Sequence, residues 1–316
     1  MNNTAPDFSP GYSPAERARV SVLRVLLYFD VFSYALTLDE IFNYTNHALL
    51  SETAQALEVL IEQRMISESE GKYSLANRVG YNKHRAELNQ RATEFYGKAN
   101  RYSKLISQFP FVRGVLITGS LSKGCMEKNG DIDYLVITQP GRLWICRSLL
   151  TFFKKTVLFN SRKYFCVNYY LDEDSLQVPD KNIFTATEVT SAKPAYNSQT
   201  CERFFKENNW TTEFYPNYKQ HNPLTVHNSN NGAVKRTMEK LLGGKMGDAI
   251  DERLMRLFLW HWKRKFKGQD NVRFEVNFRS RKNVSKHHPQ GFQFKVLNAY
   301  NQNLKNFEEQ YNIRLA

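Results

Sequence analysis

Apolar residues first fall into a helical stripe at Val20, Leu23, Leu26 and Leu27, just after Ser13-Pro14-Ala15-Glu16. Ser13 is suited to capping, Pro14 to the first helical position, and Glu16 lies three residues on, so a helix is predicted from Pro14. Thr37-Leu38-Asp39-Glu40 repeats the capping signature and predicts a short helix through Tyr44. Ser51 is expected to open a third helix, with Ala54, Leu57, Leu60 and Ile61 on one face. Two short runs, 65–67 and 72–75, flank Glu70-Gly71 and read as a hairpin. Tyr81, Leu88, Phe95 and Tyr102 recur at sevens and predict a helical connector over 81–108.

The period then changes. Residues 112–118 form a continuous apolar run that predicts a buried strand, with further strands over 131–138 and 164–171. Between the last two, Gln139-Pro140-Gly141 turns into an apolar helix, 142–159. Residues 217–231 are rich in Asn and His and read as a linker or long loop. Beyond it, helices are expected over 233–242 and 249–266, broken at Gly243-Gly244, and near 292–311. No internal repeat is visible. The fold class is α+β, in four segments: a three-helix and hairpin unit (13–80), the connector (81–108), an α/β core (109–216) and a basic helical C-terminal region (217–316).

Composition narrows the class. Hydrophobic residues make up 41% of 316, enough for packed cores, which excludes wholesale disorder. The polar start, residues 1–14, lacks the basic and apolar regions of a signal peptide. The longest apolar stretch, 143–159, is interrupted by Arg147, Lys154 and Lys155, so no membrane span is expected. Cys125, Cys146, Cys166 and Cys201 form no close pair, which points away from a metal knuckle or disulfide framework and towards the cytoplasm.

Net charge is +13, unevenly placed: −4 over residues 1–80, +7 over 81–200 and +10 over 201–316. A basic middle and C-terminal region favours anionic ligands, although a solvated basic face fits the same counts.

The stretch that carries candidate chemistry runs from Val115 to Thr138. A buried strand ends at Gly119-Ser120, a short polar turn follows, and the next strand is expected to open with Asp131-Ile132-Asp133. Strand side chains alternate, so Asp131 and Asp133 are expected on one side, their Cβ atoms about 7 Å apart. Two carboxylates so placed suit Mg²⁺, which binds through a few carboxylates and phosphate oxygens, and two such ions suit phosphoryl transfer. Gly119 lets backbone approach phosphates without a Cβ, Ser120 offers a hydroxyl, and Lys123 a cation for the β- or γ-phosphate.

At these residues the chain resembles the DNA polymerase β nucleotidyltransferase superfamily, whose signature is a Gly-Ser turn after a strand and an Asp-x-Asp opening the next. Here Gly119-Ser120 and Asp131-x-Asp133 are ten residues apart, as in small bacterial members. Lys123 stands where those have Arg, Gly124 matches their Gly, and Gly130 stands where they usually have Ser. The resemblance implies a Mg²⁺-dependent transfer of a nucleoside monophosphate from a nucleoside triphosphate, ATP being the expected one, to a hydroxyl on a small molecule, a protein or an RNA end. It also implies a third carboxylate on a neighbouring strand. The polar residue inside 164–171 is Asn168, which offers Mg²⁺ a neutral oxygen but no base. Asp172 shares its parity and takes its place only if the strand is shorter or bulged. A nucleotide-binding sensor with weak or no turnover is therefore an open alternative.

The three helices and hairpin of 13–80 resemble a winged helix, and the layout resembles bacterial proteins that carry one ahead of such a domain. That likeness covers roughly residues 13–195, including Tyr28-Phe29-Asp30-Val31-Phe32 and Asn182-Ile183-Phe184-Thr185-Ala186-Thr187-Glu188-Val189. A winged-helix DNA regulator is the third reading, but Glu52, Glu58 and Glu62 on the third helix face only Arg64, and duplex phosphates repel such a face. Two basic clusters, around 261–267 and at Arg279, Arg281, Lys282, Lys286, His287 and His288, are candidates for gripping single-stranded nucleic acid or steering an acidic ligand. His287 and His288 lack a third ligand nearby, so no zinc site is expected.

Overall fold

The computed structural model describes residues 12–46, 48–161, 163–219, 226–227 and 232–315. Most of the 1–14 stretch and most of the 217–231 linker lie outside the described residues. The fold is mixed α+β. Among the described residues no helix is long and apolar enough to cross a membrane.

The N-terminal unit consists of α1 (Pro14–Asp30), α2 (Leu38–Tyr44), α3 (Leu50–Glu62) and the hairpin β1 (Ile66–Ser69) and β2 (Lys72–Leu75). Both expected capping boxes form: Glu16 reaches back to the Ser13 N–H and Glu40 to the Thr37 N–H, each at 2.8 Å. In α3 the cap moves. Leu49 is the N-cap, its N–H held by Glu52 at 2.7 Å, and Ser51 sits exposed in the first turn. The buried stripe is accordingly Thr53, Ala56, Leu57 and Leu60, and Ile61 faces solvent. Thr53 takes the inward place because its hydroxyl bonds back to the Leu49 carbonyl at 2.8 Å, leaving its methyl for the core.

A long helix, α4 (Tyr81–Ser107), leads into the central sheet. Chain order is β3 (Val112–Thr118), α5 (Gly119–Ser122), β4 (Asp133–Thr138), α6 (Leu143–Thr156), β5 (Cys166–Asp172), α7 (Ile183–Ser191), β6 (Lys193–Tyr196) and α8 (Ser198–Glu207). The C-terminal region adds α9 (Ala233–Leu241), α10 (Lys245–Lys265), α11 (Asn271–Phe278), β7 (Ser280–Arg281), β8 (Val284–Lys286) and α12 (Phe292–Tyr311). The sheet order is β6-β3-β4-β5-β8-β7, with β4 and β5 parallel across the α6 crossover and every other pair antiparallel.

Strand alternation divides the core. Val115, Ile117, Tyr134, Val136 and Tyr170 face α4, α6 and α10. Leu116, Leu135, Ile137, Tyr169 and Leu171 face the other way, onto Val189 of α7 and Cys201 and Phe204 of α8. A third cluster joins the N-terminal unit to α7 and α12, with Tyr28 of α1 edge-on to Tyr300 at 5.5 Å. Lys286, His287 and their neighbours were expected in a purely helical region; instead β8 pairs with β5 and enters the sheet. Two residues of the second basic cluster, Arg279 and Lys286, are turned inward onto Asp180 at 2.8 and 3.2 Å, while Arg281 and Lys282 stay exposed.

Arg142 explains the break at Gly243-Gly244. Its guanidinium donates to the carbonyls of Leu242 at 2.7 Å, Gly243, and Gly244 at 3.0 Å, where α9 has run out of backbone partners. Asp251 of α10 accepts the Ile145 N–H in the first turn of α6 at 2.8 Å. Helices α6 and α10 are thus locked end to side.

Candidate functional site

The predicted site residues lie on the α8-side face of the sheet, where β3 ends and β4 begins. Strand β3 closes at Thr118, paired with Asp133. The chain then turns sharply at Gly119, whose φ is +69°. The backbone is left-handed here, and the would-be Cβ of residue 119 runs into the Asp133 carboxylate, 3.2 Å from Cγ and closer still to Oδ2. Only glycine brings the turn this close to that carboxylate.

Helix α4 holds the turn in place. Asn89 donates to the Gly124 carbonyl at 2.7 Å and Tyr96 to the Leu121 carbonyl at 3.0 Å. The Met126 N–H bonds the Leu88 carbonyl at 3.2 Å. Met126 is fully buried, and a Cβ at Gly130 would meet its sulfur at 2.7 Å and the Glu127 carbonyl oxygen at 3.2 Å, so the turn leaves little room for a side chain there.

The strand starts at Asp133, not Asp131. Asp131 belongs to an extended approach in which the Ile132 N–H bonds the Lys163 carbonyl at 3.0 Å, and Ile132 is the anchor, fully buried. Asp131 lies near enough for its charge to act on both Asp133 and Cys166. Asp133 is pushed up to about 7 by burial above all, opposed by a hydrogen bond with Cys166, and reinforced by the charges of Glu188 and Asp131.

Asn168 is brought to the site. A bulge sets Tyr134 against Val167 and Leu135 against Tyr169, so Asn168 is the extra residue. Its amide nitrogen donates to Asp133 Oδ1 at 2.6 Å. Asp172 is not brought in. It pairs with Thr138, five residues along β4 from Asp133 or about 16 Å, and its carboxylate takes the Asp174 N–H at 3.2 Å. The bulge therefore does not carry Asp172 into the place of Asn168.

Lys123 also reaches the site, and its partner is Glu188 of the 182–189 segment, to which the sequence reading assigns no chemistry. Its ammonium lies 2.7 Å from Glu188 Oε1 on α7 and 2.9 Å from the Gly119 carbonyl. The other oxygen of Glu188 accepts the Gly119 N–H at 3.2 Å. Helix α7 is capped by Asn182, which accepts the Thr185 N–H at 3.0 Å, and Ser191 at its end meets Ser122 at 3.4 Å. Glu188 is the only charged residue in 182–192, a signal available in the sequence but without a role until the helix is placed.

Ser120 is half-buried in the turn, its carbonyl taking the Lys123 and Cys125 N–H groups at 3.0 Å each. Asn168 turns its amide nitrogen, not its oxygen, towards Asp133. No group of three or more His, Cys, Asp or Glu placed to hold a metal occurs among the described residues. No family model, curated protein or solved structure matches the chain.

Proposed function

We propose that the chain is a Mg²⁺-dependent nucleotidyltransferase that moves a nucleoside monophosphate from a nucleoside triphosphate, ATP first among them, to a hydroxyl acceptor. The observation that carries the reading is Gly119 set tightly against Asp133, with Asp131 beside it, at the junction of β3 and β4. Mg²⁺, when bound, would neutralise phosphate charge and polarise the α-phosphate. Asp131 and Asp133 would hold it, with the Asn168 oxygen as a neutral third donor after the amide turns over. Gly119, Ser120 and Lys123 bind the triphosphate: one brings its N–H to phosphate oxygens, one a hydroxyl, one a positive charge. The acceptor hydroxyl oxygen attacks the α-phosphorus and loses its proton to solvent water, the bond to the bridging β-phosphate oxygen breaks, and pyrophosphate leaves.

Incubation with Mg²⁺ and α-labelled nucleoside triphosphates tests this. Label should pass to an acceptor in the wild type and fall at least about a hundredfold in Asp131→Ala. Equal transfer by the variant would remove this site from the reaction.

One observation favours a second reading. Asn168 donates to Asp133 where a general base would stand, so nothing on β5 takes the acceptor's proton. A sensor that binds Mg²⁺ and nucleotide without turnover fits that arrangement, and calorimetry with tight binding but no product would favour it.

A further inference from the structure

The geometry points to Glu188 as a resident anion that holds the phosphate-binding groups until a nucleotide displaces it, and so sets nucleotide affinity. This inference rests on the nucleotide-site reading above. Two of the groups assigned to triphosphate, the Gly119 N–H and the Lys123 ammonium, are both engaged by one carboxylate. Glu188 Oε2 takes the N–H at 3.2 Å and Oε1 the ammonium at 2.7 Å. A carboxylate bound through both oxygens to one backbone donor and one cation reproduces two of the contacts a phosphate would make.

Asp133 packs on the Cα side of the same glycine, so two carboxylates share one turn. Displacement requires Glu188 to leave its seat. Glu188 is free to do so. Its side chain is 25% exposed, and among the described residues its carboxylate bonds Lys123 and the Gly119 N–H alone. Lys123 is held to the turn independently through the Gly119 carbonyl at 2.9 Å, so it stays when its partner goes. Glu188 sits on α7, whose capped start and Ser191–Ser122 contact keep the helix in place while the side chain swings.

The arrangement makes affinity a difference between two anions competing for one seat. Calorimetry with tripolyphosphate and, separately, Mg²⁺-ATP should be run on wild type, Glu188→Gln, Glu188→Ala and Lys123→Ala. Both Glu188 variants are expected to bind tripolyphosphate about tenfold tighter or more, and Lys123→Ala about tenfold weaker. Equal or weaker binding by Glu188→Gln and Glu188→Ala, at wild-type melting temperature, overturns the proposal. Hydrogen exchange on the wild type supplies a check that needs no variant. Tripolyphosphate should keep the Gly119 amide protected while the Glu188 side chain is released, and loss of that protection on binding counts against it. The two failures separate: tighter binding by the variants with no label transfer by any form leaves Glu188 as proposed and removes the transferase. Transfer by wild type without tightening in the variants does the reverse.

Discussion

The Cα of Gly119 lies against the carboxylate of Asp133, leaving no room for a methyl group between them. Gly119→Ala therefore meets two penalties at once, a left-handed backbone at φ +69° and a collision with the very group that is to hold a cation. Destabilisation of at least about 1–2 kcal/mol is expected, with loss of nucleotide binding. Urea melts and calorimetry check it; a variant with unchanged stability and binding would mean that the turn does not need to be this close.

Asn168→Asp places a third carboxylate where β5 bulges towards Asp133. The amide that now donates at 2.6 Å becomes a like charge. Without Mg²⁺ the melting temperature should fall by several degrees, and Mg²⁺ should restore it, because a divalent cation is what three carboxylates lack. Label transfer should rise as well. A Mg²⁺-insensitive melting temperature would separate Asn168 from the cation site.

The lock between α6 and α10 carries a pH signature. Asp251 is pushed up to about 6, by burial first, against the stabilising N–H groups of Ile145 and Trp144 and the charges of Arg142 and Lys282. The folded chain therefore holds this proton more tightly than the unfolded one, whose carboxyl titrates near the usual value of about 4. Stability from this group is fully present below about pH 4 and is lost as pH rises through about 6, by at most about 3 kcal/mol. Asp251→Asn keeps an acceptor for the Ile145 N–H and removes the titration. Its thermal stability should vary less than wild type's between pH 4 and 7, and an identical profile would place the proton elsewhere.

Lys235 anchors α9 against the sheet. Its buried ammonium donates to the carbonyls of Ser107 and Val112, each at 2.9 Å, and burial lowers it to about 8. Lys235→Met leaves both carbonyls without that donor and should cost about 2–3 kcal/mol at pH 7. A lowered lysine contributes more as pH rises from about 8 towards its unfolded value. Wild type should therefore gain on the variant between pH 8 and 10, as denaturant melts at those two pH values would record.

Much of the fold is written in the period of the sequence. The strand over 112–118, the turn at Glu70-Gly71 and the helix ending at Tyr311 follow from apolar spacing and turn residues alone. Where the reading shifts, a backbone partner decides. Glu52 moves the α3 cap to Leu49, and pairing with the 163–166 segment holds Asp131 outside β4. Strand β8 went unread because three residues, Val284-Ser285-Lys286, are too few to show a period, and their basic neighbours look like surface. Asn168 was legible as the polar residue of its strand, but the bulge that turns it to Asp133 belongs to the register between two strands. Glu188 was visible as part of the 182–189 segment and as its lone charge, without a chemical role. What it touches depends on how α7 lies over the Gly119 turn, a long-range fact.

The closure of the chain on itself has a consequence for how it comes apart. Helix α12 returns to α1, where Arg24 reaches the Leu315 carbonyl at 2.7 Å and Asn303 the Leu27 carbonyl at 3.2 Å, while β8 completes the sheet beside β5. Segments distant in sequence therefore share their hydrogen bonds, and no cut near residue 217 separates two self-sufficient pieces. A protease that nicks there should leave both halves associated. Unfolding should run as one transition in which the N-terminal helices and the sheet let go together.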